Sequence, residues 1–219
     1  STNGEMFPLQ MMDWVSLVGA GIELTLLDAD LTDRVIMMEY VDGVSITDLT
    51  IKNGDTGFYI FDSVFGLGGG LYLFNSNPQL TDLLISNNMA RGGGGISLFS
   101  SNPILTNVTI KYNSTDMWGG GIYCDESSPT LTNVMISDNS SSSRGGGLYC
   151  RDSSNPTLEN VVIAGNSGTY GGGIRCFFSS PTLVDVTITS NIAEDRGGGV
   201  FLTSSDPTLT NVTISGNEA

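Results

Sequence analysis

The sequence has no histidine and only eight lysine and arginine residues, against 23 aspartate and glutamate residues. The absence of histidine removes the commonest general base and the commonest zinc ligand of proteins. A formal net charge of −15 provides no basic surface for nucleic acid or anionic lipid, so neither is expected as a partner. No apolar run reaches the roughly 18–20 residues of a membrane helix, which argues against membrane insertion.

Glycine is abundant and marks a repeat. Glycine triplets begin at steps of 25 or 26 residues, at Gly68, Gly93, Gly119, Gly145, Gly171 and Gly197. Each unit contains three short apolar stretches separated by turns rich in Ser, Asn and Pro. The alternation of apolar and polar residues is typical of β-strands, and no stretch has a helical period. Three short strands in a coil of about 26 residues predict an all-β, parallel β-solenoid with coils about 4.8 Å apart.

Residues one repeat apart form columns, and the columns that stay apolar are predicted to face a stacked interior. These are Leu71, Ile96, Ile122, Leu148, Ile174 and Val200; Leu73, Leu98, Cys124, Cys150, Cys176 and Leu202; and Leu49, Leu83, Val108, Val134, Val161, Val186 and Val212. Because the three cysteines belong to one inward column, they are predicted to form a buried ladder of free thiols. In-register parallel strands rarely give disulfide geometry, and a straight stack does not give a tetrahedral metal site.

Two further columns consist of Asn and Asp and are predicted to mark corners of the coil. They are Asp48, Asp82, Asn107, Asn133, Asn160, Asp185 and Asn211, and Asn88, Asn113, Asn139, Asn166, Asn191 and Asn217. Asparagine tolerates the left-handed backbone of a sharp corner, and its amide can bond the same side chain one coil away. Both columns are therefore interpreted as structural ladders.

The repeats, their asparagine ladder and the opening segments Val15-Ser16-Leu17-Val18-Gly19 and Thr25-Leu26-Leu27-Asp28 resemble the right-handed parallel β-helix of the pectin-lyase-like superfamily. The glycine triplets also resemble repeats of bacterial surface and autotransported β-helix proteins. We expect one domain: irregular coils over 1–54, an insertion over 55–67, and glycine-triplet repeats over 68–219, of which the last stops partway. The fold hosts lyases, hydrolases, esterases, tailspikes and adhesins, so it implies no single function.

In pectin-lyase-like enzymes, the outer face of the first strand carries the substrate cleft, and here that strand follows the glycines. Aromatic rings beside glycines suit the apolar faces of a sugar chain. The resulting prediction is an exposed binding face made of Tyr72, Phe74, Phe99, Trp118, Tyr123, Tyr149, Arg151, Tyr170, Arg175, Phe177 and Phe201. The alternative is that these rings and arginines only stack on one another and stabilise the sheet.

Catalytic candidates on this face are few. The resemblance implies an arginine base for a lyase, either Arg151 or Arg175, with Ca²⁺ held by Asp125, Glu126 or Asp152. A hydrolase needs two carboxylates, and Asp125 with Asp152 is the obvious pair. The Asn-Thr-Asp and Gly-His-Gly motifs of polygalacturonases and the Arg-x-Pro motif of pectate lyases are absent. We therefore expect no catalytic residues, and no metal or cofactor unless the lyase alternative holds.

The function that the sequence favours is non-catalytic binding of polysaccharide or surface glycan by a secreted or cell-surface protein, in an adhesive or scaffolding role. One alternative is a polysaccharide-active enzyme, either a lyase or a glycoside hydrolase. The other is a structural stalk that associates end to end, because the strand edges at the end of an uncapped solenoid can pair with another chain.

Overall fold

The computed structural model describes residues 6–57 and 66–219. Within these ranges the chain forms 27 strands, numbered here along the chain, and no helix; hence no helix there could cross a membrane. All of the strand pairs are parallel, and they assemble into three sheets. Part of the predicted insertion, residues 58–65, lies outside the described residues.

The first sheet contains the strands that follow the glycines. Its eight strands lie in chain order, one from each coil. They are β1 (Leu9–Gln10), β4 (Ile36–Glu39), β6 (Leu71–Phe74), β9 (Ile96–Phe99), β13 (Ile122–Asp125), β17 (Leu148–Arg151), β21 (Ile174–Phe177) and β25 (Val200–Thr203). The prediction of a solenoid with about 26 residues per coil is confirmed.

The second sheet has 14 strands, because β5 and β7 run through a corner that divides the other coils into two shorter strands. The strands are β2 (Ser16–Val18), β3 (Leu26–Asp28), β5 (Ser45–Lys52), β7 (Gln79–Ser86), β10 (Ile104–Thr106), β11 (Thr109–Lys111), β14 (Thr130–Thr132), β15 (Met135–Ser137), β18 (Thr157–Glu159), β19 (Val162–Ala164), β22 (Thr182–Val184), β23 (Thr187–Thr189), β26 (Thr208–Thr210) and β27 (Thr213–Ser215).

The third sheet adds a fourth strand to each of five coils, which the three apolar stretches did not predict. Its strands are β8 (Met89–Gly92), β12 (Ser114–Trp118), β16 (Ser140–Arg144), β20 (Ser167–Tyr170) and β24 (Ile192–Arg196). The inward residue of each is small, as at Ala90, Ser141 and Ala193. Since these strands place only small residues in the interior, they carry no hydrophobic alternation that sequence reasoning could detect.

The interior is the predicted set of apolar columns, with like residues in register. Cys124 pairs with Cys150, and Cys150 pairs with Cys176, while Leu71 pairs with Ile96. All three columns are buried through the middle coils. Leu202, in the last coil, is 39% exposed.

Both Asx columns lie at corners of the coil, as expected, but only one of them has the left-handed backbone expected of both. The column containing Asn133 has left-handed backbone throughout, with φ between 51° and 57°. Its side chains bond along the stack, as Asn107 Nδ2 does to Asp82 Oδ1 at 2.9 Å. The column containing Asn139 is buried and lacks left-handed backbone; the residue before it, Asp138, has that conformation instead.

The buried asparagines form a continuous ladder. Asn139 Nδ2 donates to Asn166 Oδ1 and to the Ile110 carbonyl, each at 3.0 Å. Asn139 Oδ1 accepts from both the backbone N–H and the Nδ2 of Asn113, again at 3.0 Å. One side chain thus satisfies two backbone groups of the preceding coil and bonds the asparagine of the next coil, in the interior, where an unpaired polar group is costly.

A ladder of serines lies at the turn that follows the first sheet, and the sequence analysis missed it. The backbone N–H of each serine donates to Oγ of the serine in the next coil at 3.0–3.1 Å. Most of these Oγ atoms donate in turn to the carbonyl two residues earlier, as Ser127 does to Asp125 at 2.7 Å. The members are Ser76, Ser101, Ser127, Ser154, Ser179 and Ser205.

The buried cysteines are free thiols, as predicted. The hydrogen bond with Cys124, followed by burial, raises the pKa of the Cys150 thiol well above its ordinary value. We expect iodoacetamide to modify the native protein roughly 100-fold or more slowly than the denatured protein, because thiolate forms only on local opening. Mass spectrometry should find three alkylated cysteines after denaturation. Rapid labelling of the native protein would contradict a buried ladder.

Candidate functional site

The glycine triplets allow the backbones of neighbouring sheets and coils to approach closely. The first glycine has left-handed backbone, as at Gly145 with φ 67°. A Cβ on the second, Gly146, would lie 2.5 Å from the carbonyl oxygen of Gly172 in the next coil, and closer still to the Ser167 carbonyl. The triplets are buried, so the expectation that they form an open track beside the aromatic rings is wrong.

The outward column nearest the glycines is also buried, contrary to the predicted exposed face. Tyr72, Tyr123 and Tyr149 are 1–3% exposed, and Arg175 is 7% exposed. Trp118, from the third sheet, stacks on Tyr123 with ring centroids 5.6 Å apart. Tyr72, Tyr123, Tyr149 and Arg175 therefore do not form an exposed surface. Trp118 covers Tyr123, and the Arg34 guanidinium lies 4.9 Å from the Tyr72 ring centroid.

The covered rings contact one another from coil to coil. Tyr123 lies 5.7 Å from Tyr149, and Phe99 bridges Tyr72 and Tyr123 at 6.0 and 5.5 Å. Tyr170 stacks on Phe201 at 6.1 Å. These contacts are the cross-coil stacking of the alternative interpretation, and each pair contributes roughly 0.5–1.5 kcal/mol beyond its area burial.

Arg175 is enclosed in this layer. Its guanidinium lies 4.4 Å from the Phe201 ring centroid, and it donates to Thr203 Oγ1 at 2.9 Å and to the Phe201 carbonyl at 3.3 Å. Burial lowers the pKa of Arg175 from its ordinary value. Because the side chain is buried, it does not reach a ligand on the outer surface.

Arg151 is the centre of a polar cluster that does reach solvent. Its NH2 group lies 2.5 Å from Asp152 Oδ2, and its Nε lies 3.8 Å from Asp125 Oδ2. Asp125 also accepts a hydrogen bond from the Tyr123 hydroxyl at 2.8 Å. The two carboxylates that formed the hydrolase candidate pair thus both contact the same guanidinium.

Burial raises the pKa of Asp125 above its ordinary 3.8, although the Tyr123 hydrogen bond and the Arg151 charge lower it. The Asp125 carboxyl group therefore binds its proton more tightly in the folded protein than in the unfolded chain. The stability contributed by protonated Asp125 is present below pH 3.8 and is lost as the pH rises through the raised value. We therefore expect the melting temperature of Asp125→Asn, relative to that of the wild-type protein, to increase as the pH rises through this range. If this difference in melting temperature decreased as the pH rises, it would contradict the raised pKa of Asp125.

The half-buried residues of the predicted face form a narrower surface than expected. They are Phe74, Phe99, Trp118, Arg151, Tyr170, Phe177 and Phe201. Two exposed aromatic residues beside them were missed, Tyr40 and Phe178, which are 71% and 54% exposed. Both lie in the turn after a first-sheet strand, and the available signal was an aromatic residue where other coils have Asn, Ser, Glu or Asp.

The acidic residues of this surface do not form a metal site in the described part of the chain. No group of three or more Cys, Asp or Glu side chains there is arranged to hold a metal ion. Asp125, Glu126 and Asp152, named for Ca²⁺ under the lyase alternative, are therefore not such a group.

Comparison with known proteins gives one match. A family model described as a right-handed beta helix region matches residues 34–219, which is more than half of the chain. No curated protein and no solved structure matches the sequence.

Proposed function

Since this chain belongs to the right-handed β-helix family, a fold that serves many functions, we propose a function from its surface: it binds a polysaccharide or surface glycan without cleaving it. We further propose that it acts outside the cell or at the cell surface. The observation that carries the binding proposal is the strip of half-buried aromatic rings beside the Arg151 cluster. Such rings stack on sugar faces while polar neighbours bond the hydroxyls.

Two features favour binding over catalysis. A glycoside hydrolase needs one carboxyl group that donates a proton and another that acts as base or nucleophile, whereas Asp125 and Asp152 are both engaged by Arg151. A lyase needs a group that accepts a proton. Burial alone would lower the pKa of Arg151, but the hydrogen bond to Asp152 and the charge of Asp125 raise it, which makes Arg151 a poorer base.

The test is binding to a panel of soluble and insoluble polysaccharides, including cellulose, mannan, chitin and polygalacturonate. We expect retention on at least one and roughly tenfold weaker binding by Phe99→Ala and Trp118→Ala. Tyr112→Ala is the matched control, because Tyr112 is an exposed aromatic residue at the end of β11, in the second sheet. Retention on no polysaccharide, or equal binding by all variants, would overturn the proposal. Release of shortened chains would favour the enzyme alternative.

A further inference from the structure

From β4 onward, the residue directly after each first-sheet strand has left-handed backbone, with φ between 47° and 55°. Five of the seven coils place a small or polar residue there, namely Asn75, Ser100, Glu126, Asp152 and Ser204. The other two place Tyr40 and Phe178, although bulky side chains are disfavoured in this conformation. Both are more than half exposed, so neither is a residue of the interior.

Each of these residues pairs with a half-buried phenylalanine of the first sheet. The ring centroids of Tyr40 and Phe74 are 5.1 Å apart at an interplanar angle of 82°. Those of Phe177 and Phe178 are 4.5 Å apart at 78°. Both pairs are edge-to-face contacts that orient two rings at the surface. We call them the Tyr40 pair and the Phe178 pair.

The two pairs lie in the same columns but far apart along the solenoid. Tyr40 follows β4, and Phe178 follows β21, which is five strands further along the first sheet. At about 4.8 Å per strand, that separation is about 24 Å. A ligand that contacts both pairs must therefore be an extended chain parallel to the solenoid axis.

Apart from Phe99, the surface between the pairs is polar, and it carries net negative charge. Its charged residues in the two columns are Asp125, Glu126, Arg151 and Asp152, three carboxylates against one guanidinium. Ser100 Oγ and Glu126 Oε2 are 3.5 Å apart. Fixed negative charge, together with the net charge of −15, repels a uronate chain and tolerates a neutral or amino-sugar chain.

We propose that the Tyr40 pair and the Phe178 pair are the two ends of one site for an extended, non-acidic polysaccharide. The inference rests on the proposed function and specifies the class of the ligand and the orientation of the bound chain. The chain lies parallel to the solenoid axis, a sugar ring stacks on each aromatic pair, and the polar residues between them bond the hydroxyls. Tyr40 and Phe178 are then ligand-contacting residues.

The test measures binding of cello-oligosaccharides, chitosan oligosaccharides and oligogalacturonates of increasing length by calorimetry. The variants are Tyr40→Ser and Phe178→Ser, because serine occupies the same turn at Ser100 and Ser204 and keeps the backbone. We expect affinity for a neutral or amino-sugar series to rise with length, and each variant to lower it about tenfold for the longest chains. Oligogalacturonates should bind at least about tenfold more weakly.

The outcomes separate the two proposals. Equal affinity for short and long chains, a preference for oligogalacturonates, or unchanged binding by both serine variants would overturn the inference. If Phe99→Ala still weakens binding in any of those cases, the proposed function survives. If no polysaccharide binds the wild-type protein, both proposals fail. Tyr112→Ser controls for the loss of an exposed ring elsewhere.

Discussion

Replacement of Asn139 by leucine is expected to lower the free energy of unfolding by roughly 3–5 kcal/mol. Leucine fills a similar volume but leaves the Asn113 amide, the Ile110 carbonyl and Asn166 Oδ1 each without a partner that Asn139 now provides. All of these groups are buried, so water does not replace the lost hydrogen bonds. The measurement is denaturant unfolding followed by circular dichroism.

The matched control is Asn133→Gly in the same coil. Asn133 is exposed, and its side chain bonds only Asn107 at 3.1 Å and Asn160 at 2.6 Å, while glycine keeps the left-handed backbone. We expect a loss of no more than about 1 kcal/mol. If Asn139→Leu were as stable as Asn133→Gly, the buried ladder would not stabilise the fold as described.

Substitution of Gly146 by valine is expected to cost more than about 4 kcal/mol or to prevent folding. The new side chain would occupy the space of the Ser167 and Gly172 carbonyls, which belong to the backbone and have little freedom to move. The damage would separate the first and third sheets in two successive coils. Soluble yield and thermal unfolding measure the effect.

Gly165→Asn provides the comparison within the same coil. Gly165 also has left-handed backbone, but the close contact of an added Cβ would be with the end of the Asp138 side chain. Asn87 already occupies the equivalent left-handed turn three coils earlier. We expect a change within about 0.5 kcal/mol. Equal losses for the two glycines would show that close backbone approach is not the reason for the triplets.

Sequence reasoning predicted the interior well because every inward residue sits above its own counterpart. Ile122, Cys124 and Val134 could be assigned from the repeat alone, since stacking makes each column uniform. The left-handed corner at Asn133 followed from the same periodicity. The hydrogen-bonded ladder of Asn139 followed as well, but its burial did not, because the identity of an asparagine does not say whether its side chain points into the coil or out of it.

The outer face was predicted less well because its exposure depends on a neighbouring sheet. The serine-rich strand β16 has no apolar alternation, so nothing in the sequence showed that its sheet would cover Tyr123. Tyr40 and Phe178 were missed for the opposite reason. They depart from the repeat, whereas the periodicity points to the residues that recur in every coil.

Distances between spin labels test the in-register stack most directly. Cys124, Cys150 and Cys176 are first replaced by leucine, the residue that the same column has at Leu73 and Leu98. One spin label is then placed at Gln79 and the other at Thr157, Thr182 or Thr208. These positions lie three, four and five coils from Gln79 on one exposed column. Pulsed electron paramagnetic resonance should give distances near ~14, ~19 and ~24 Å, with steps of about 4.8 Å. Distances that do not increase in equal steps would contradict the stack on which the interior, the ladders and the proposed binding surface all depend.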